Sequence, residues 1–167
     1  HMDGASRLVA ELAAAAAPGA KTVWDCCAAP GGKTLILAHR LASAEITATD
    51  ISAKRLAQTE ARFRRYAYAE RIRCGVADAT SPSDGQTYDL ILCDVPCSGT
   101  GTLAGNPEIR HRLKPEEFPR QAARQQAILK AALRRLAPGG RLVYSTCSLE
   151  PEEGEQIVAD VIAGTGI

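Results

Sequence analysis

The sequence predicts an α/β fold, a doubly wound and mostly parallel Rossmann-like sheet, and three observations carry that prediction. Short, almost wholly apolar runs such as "TVWDCCA", "YDLILCDVP" and "RLVYSTC" recur along the chain, as strands buried on both faces do. Helical patterns separate them, which requires parallel pairing through right-handed crossovers. The runs also close on Asp25, Asp50, Asp78, Asp94 and Cys147, so polar groups gather at one sheet edge, where open α/β sheets hold their ligands.

Taken in order, a helix over Ala5–Ala17 is stopped by Pro18-Gly19, and "TVWDCCA" follows as the first strand. The turn "APGG" leads into a helix over "KTLILAHRLA". Next come "EITATD" as strand, Ala53–Tyr68 as helix, and "IRCGVAD" and "YDLILCDVP" as strands. Pro119–Leu136 reads as helix and "RLVYSTC" as strand. A last helix, Glu150–Ile162, begins at Pro151, where proline fits the first turn. Right-handed connections then place the reversal of strand order beside the first strand.

The 167 residues, 46% hydrophobic and 23% charged, suit one globular domain with its own core. The expectation is a single domain over residues 3–167, with His1-Met2 an expression scar and the "AGTGI" end cut from a longer protein. No apolar run is long enough for a membrane span, and no signal sequence opens the chain. A cytoplasmic setting is therefore expected. Six cysteines without a Cys-x-x-Cys pair read as reduced thiols, and neither a disulfide framework nor a zinc site is expected. Cys26, Cys74 and Cys93, within apolar runs, read as small core residues. Net charge is only +1, but basic residues cluster between Lys54 and Arg73 and again from Arg110 to Arg124, a pattern that fits either solvated faces or a polyanion.

The first turn decides which ligand is expected. In "DCCAAPGGKT" the place of the first P-loop glycine is held by Cys27, and G-x-G-x-x-G is absent, so a pyrophosphate cradle is disfavoured. What remains is a glycine turn before a helix N-terminus, suited to a carboxylate. Asp50, 25 residues after Asp25, can take ribose hydroxyls, and Asp78 can accept from an adenine amino group. Carboxylate, ribose and adenine together describe S-adenosylmethionine. Each aspartate also has a plainer reading: Asp25 can cap the following turn, Asp78 can begin a loop, and a lone aspartate after a strand is more often a cap than a ligand.

"DCCAAPGGKT", "DIS", "DAT", "DVPCSGTG" and "STCS", in that order, resemble the motifs of the RNA (cytosine-5)-methyltransferase family of the Sun (RsmB) type, over nearly the whole chain. The resemblance implies methylation of carbon-5 of cytosine in ribosomal or transfer RNA. It implies Cys147 as nucleophile, Cys97 as the group assisting product release, and Asp94 holding the cytosine edge and touching the cofactor. Cys27, Ala28, Ala29, Pro30, Gly31, Gly32, Lys33, Asp50, Arg55 and Asp78 then line the S-adenosylmethionine site. Arg110, Arg112 and Lys114 suit RNA phosphates. The chemistry agrees: carbon-5 of cytosine is a weak nucleophile until a thiolate adds at carbon-6, and a second group must then take part in release. Family members also carry two further strands after "STCS" and an RNA-recognition region before Asp3, so "RLVYSTC" is expected as an exposed edge.

Two other readings stand beside this one. An exocyclic-amine methyltransferase leaves Cys97 and Cys147 without a role. An inactive S-adenosylmethionine- or RNA-binding module serving ribosome assembly needs neither thiol. The sequence leaves the oligomeric state open.

Overall fold

A computed structural model of the chain describes residues 4–83 and 85–165, except the side chains of Arg110 and Arg112. The reading of His1-Met2 and both ends of the expected domain fall outside that range. Five parallel strands form one sheet in the order β3-β2-β1-β4-β5: β1 (Thr22–Asp25), β2 (Glu45–Asp50), β3 (Ile72–Val76), β4 (Tyr88–Asp94) and β5 (Leu136–Ser145). The order reverses beside β1, as the connections require, and β5 lies at the sheet edge.

Side chains alternate between two cores, as strand geometry dictates. Val23, Ile46, Leu90 and Leu92 pack with Ala13 of α1 (Gly4–Ala16), Leu37 of α2 (Gly32–Arg40) and Phe63 of α3 (Ala53–Phe63). Trp24, Ile91 and Cys93 face the other way, toward Ile128 and Ala132, after the short helix α4 (Ile109–Arg112) and within α5 (Glu117–Leu133). Trp24 is pinned there by donating from Nε1 to Thr49 Oγ1 at 2.9 Å and by stacking on Tyr88. Leu129 of α5 packs with Ile157 and Val161 of α6 (Glu155–Thr165).

The differences from the sequence reading fall at element ends. The helix from Ala53 stops at Phe63, its last core side chain, and two turns return the chain to pair Ile72 with Ile46. Arg71, part of the basic cluster that the sequence read as either a solvated face or a polyanion surface, instead turns inward and donates to the carbonyls of Ala38, Leu41 and Ala44, which end α2 and lead into β2. The fifth strand begins at Leu136 and not Arg141. Its "PGG" is a bulge: the register shifts between Tyr88 and Leu90, and Gly139 takes φ +75°. The last helix is broken at Gly154, with a 3₁₀ turn over Pro151–Glu153 before α6. Ile109–Arg112, unassigned in the sequence, is helical.

Candidate active site

After β1 the chain stays within hydrogen-bonding reach of its neighbours, with Cys26 N–H donating to Leu92 O and Ala28 N–H to Thr49 O. It then turns into α2 and leaves a cavity of about 260 Å³ against Cys27, Ala28, Ala29, Pro30, Gly32 and Lys33. Gly31 does not line this cavity; it is buried behind it at φ +90°, where a Cβ would lie 2.6 Å from the Phe63 ring. Its lack of a side chain serves the packing of α3.

Asp25, which the sequence left as a turn cap, is the buried acid of this cavity at 1% exposure. Thr34 Oγ1 donates to Oδ2 at 2.7 Å, while Oδ1 has no partner. Desolvation pushes its carboxyl up to about 7, against the Thr34 hydrogen bond. Asp94 faces the same space with both oxygens engaged, Oδ2 on Lys33 Nζ at 2.8 Å and Oδ1 accepting from Ser145 Oγ at 2.7 Å.

A second cavity of about 240 Å³ shares Cys27, Ala29 and Asp94 with the first and continues past Asp50, Arg55 and Asp78. Asp50 is 4% exposed and accepts from Ser52 N–H at Oδ1 and from Ala29 N–H at Oδ2. Arg55 donates to Ala29 O at 2.9 Å, tying the turn to the start of α3. Asp78 is exposed, and its Oδ1 accepts from the amide and hydroxyl of Thr80, which hold its carboxyl below the usual carboxylate range. Arg124 of α5 lines this cavity too. The half-buried Cys27 thiol, hydrogen-bonded to Cys26, is held far above the usual thiol range and is a neutral wall.

Cys97 and Cys147 share a third cavity, of about 630 Å³, with Ser98, Asn106 and Ile109. Their Sγ atoms lie 2.8 Å apart. Both are free thiols, Cys97 half-buried and Cys147 exposed, and either sulfur can donate to the other. The Cys147 contact, helped by the Thr146 hydroxyl and the amides of Cys147 and Gly99, brings Cys97 down to about 6. The same contact holds the Cys147 thiol well above its usual range. The loops carrying the two sulfurs are laced together: Gly101 N–H donates to Cys147 O, and Leu149 N–H donates to Thr100 Oγ1, both at 2.9 Å. A Cβ on Gly101 would sit 2.7 Å from Cys147 O.

Beneath these loops lies Glu153, 0% exposed. Oε1 accepts from Ser98 N–H at 2.9 Å and from Gln125 Nε2 at 3.1 Å, and Oε2 accepts from the Ser98 hydroxyl. Gln125 Nε2 also donates to Pro96 O at 2.8 Å. Nothing in "LEPEEGE" marks the third of its four acids as the inward one, because the 3₁₀ turn that aims it is set by tertiary packing.

Of the expected RNA contacts, Lys114 is exposed just after α4. Arg110 and Arg112 lie on α4, which borders the thiol cavity through Ile109, and their side chains lie outside the described residues. Among the described residues no helix is long and apolar enough to cross a membrane, and no cluster of His, Cys, Asp or Glu is arranged to hold a metal.

Comparison with known proteins matches residues 12–165 to the family described as "16S rRNA methyltransferase RsmB/F". A protein of Xanthomonas campestris pv. campestris named "Ribosomal RNA small subunit methyltransferase B" is 38% identical over 156 residues, 92% of this chain and 35% of its own length. The protein of that name from Vibrio vulnificus is 37% identical, over 86% of this chain and 34% of its own length. The crystal structure of NSun6 from Pyrococcus horikoshii with SFG superimposes with a TM-score of 0.85 at 32% identity, covering 98% of this chain and 42% of that one. The chain thus spans about a third of the length of these curated relatives.

Proposed function

Because the chain belongs to the 16S rRNA methyltransferase RsmB/F family, we propose that it is the catalytic part of an S-adenosylmethionine-dependent enzyme that methylates carbon-5 of a cytosine in ribosomal RNA. The observation that carries this reading is the pair of thiols 2.8 Å apart, presented from the ends of β4 and β5 beside the Asp94 that borders both inner cavities. Ribosomal RNA as substrate implies a cytoplasmic setting.

The residues present fit the cofactor. Asp25 Oδ1, buried without a donor in the first cavity, calls for one, and an α-ammonium group supplies it. The amides opening α2 suit the neighbouring carboxylate, and Asp50 and Asp78 suit the nucleoside in the second cavity. When bound there, S-adenosylmethionine supplies an electrophilic methyl group on a sulfonium.

Cys147 is the nucleophile. Its sulfur bonds to cytosine carbon-6, which makes carbon-5 electron-rich enough to take the methyl group. The carbon-5 proton then leaves to a base and the carbon-6 to sulfur bond breaks, returning the Cys147 thiolate and the methylated base; Cys97 assists this step. In the resting pair the lowered thiol is Cys97 and Cys147 keeps the proton, so Cys147 passes its proton to Cys97 as its sulfur bonds to carbon-6. Asp94, fixed by Lys33 and Ser145, holds the cytosine edge. Ile109 and Asn106 bound the space in front of the thiols, where a base turned out of its stack fits.

The test is covalent trapping. Incubated with ribosomal RNA and S-adenosylmethionine, Cys97→Ala should accumulate a protein–RNA adduct that survives denaturing gels, and adding Cys147→Ala should abolish it. An exocyclic-amine methyltransferase or an inactive binding module gives no adduct with either variant.

A further inference from the structure

We propose that the buried carboxylate of Glu153 is a positioning residue that fixes the Cys97 sulfur against Cys147, so that its loss uncouples product release from methyl transfer. The catalytic consequence rests on the reading above, whereas the positioning itself does not.

A carboxylate removed from water is destabilising unless hydrogen bonds and charge partners replace the lost solvation. Among the described residues no Lys, Arg or His pairs with Glu153; its oxygens are satisfied by Ser98 and Gln125 alone. An apolar side chain would fill the space at lower cost, so the arrangement is explained by where the donors come from. Both peptide neighbours of Cys97 lead to this one group. Ser98 gives it an amide and a hydroxyl, and Gln125 bridges it to the carbonyl of Pro96. The clamp reaches the other sulfur as well, because Ser98 Oγ lies 3.1 Å from the hydroxyl of Ser148, the residue after Cys147. Tyr144 closes the arrangement from β5, its hydroxyl donating to Glu153 O at 3.0 Å. Cys97 is thereby held from both sides at the separation in which the Cys147 contact lowers it to about 6. The ionisable groups that face the sulfurs are Asp94 toward Cys147, Tyr144 toward Cys97 and, in the cavity the thiols share, Glu108 and Glu117, and Glu153 acts through Ser98.

The measurement is the pH profile of thiol alkylation by iodoacetamide, located by mass spectrometry, on this chain with S-adenosylmethionine affinity and thermal unfolding recorded alongside. The unaltered protein should show Cys97 titrating well below a free thiol. Glu153→Ala should move that midpoint upward by about one pH unit or more, toward the free-thiol value. Glu153→Gln, which keeps the volume and an acceptor for the Ser98 amide, should restore most of the shift. If Glu153→Ala fails to fold, Ser98→Ala, which cuts the hydroxyl link to both Oε2 and Ser148, should move the midpoint in the same direction. A folded Glu153→Ala or Ser98→Ala protein with an unchanged Cys97 profile overturns the proposal. In the full-length parent, Glu153→Ala should build up the same RNA adduct as Cys97→Ala. An adduct with Cys97→Ala but none with a folded Glu153→Ala overturns the uncoupling. No adduct with Cys97→Ala overturns the functional reading instead, and the alkylation profile still decides whether Glu153 positions the sulfur.

Discussion

Asp25 shows how a single residue can trade stability for a binding site. Its folded-state carboxyl, raised to about 7 from 3.8, binds a proton more tightly than in the unfolded chain. Its contribution to stability is therefore full below about pH 4 and is lost as pH rises toward 7, flattening above. Asp25→Asn removes that slope. At pH 8 it should stabilise the ligand-free protein by about 2 kcal/mol, with ~4 kcal/mol as a ceiling, while weakening S-adenosylmethionine binding. Urea unfolding at pH 5 and pH 8, with a cofactor titration, checks both signs, and equal stability gains at the two pH values would show that ionisation is not the cause. The aspartate was visible in the sequence but its burial was not. Burial turned a turn cap into a candidate ligand.

At the scale of elements, two positions hold the site in shape without touching a ligand. Arg71 donates to three carbonyls where α2 ends and the chain enters β2, and hydrogen bonds from a charged donor are among the stronger ones. Arg71→Ala should cost about 2 kcal/mol in chemical unfolding with RNA binding unaffected; a loss of RNA affinity at unchanged stability would return Arg71 to the basic face. Gly101 is required because the two thiol loops touch there: a methyl group would meet Cys147 O at 2.7 Å. Gly101→Ala should destabilise by about 1–3 kcal/mol and slow alkylation of Cys97 near pH 7, since parting the loops withdraws the contact that lowers it. Strand centres and helix bodies were readable from periodicity because one apolar face repeats along each. The ends of α3 and α6 were not, since the side chain that last meets the core decides where a helix stops. The basic cluster misled for Arg71 because charge alone does not reveal a carbonyl partner.

At the scale of the molecule, one sheet edge gathers three cavities from turns spread between Asp25 and Cys147. The two inner ones are lined by residues from the ends of β1, β2, β3 and β4 and the turns that follow them. S-adenosylmethionine should therefore raise its unfolding temperature, by the mass-action equivalent of ~2.7 kcal/mol at one hundred times the dissociation constant. Asp50→Ala should weaken that binding about tenfold or more, as read by calorimetry. An unchanged affinity would remove Asp50 from the site.

The sequence by itself determined the sheet and its reversal beside β1, because hydrophobic period and crossover handedness are local rules that send every strand end to the same edge, while the two sulfurs became a candidate pair through the family resemblance of "DVPCSGTG" and "STCS". Tertiary structure alone decided the rest: that Gly31 serves Phe63, that Asp25 lies buried with an oxygen unmatched, and that Glu153 reaches under Cys97. Each depends on which distant side chain shares a volume excluded from water, and that proximity leaves no periodic trace along the chain.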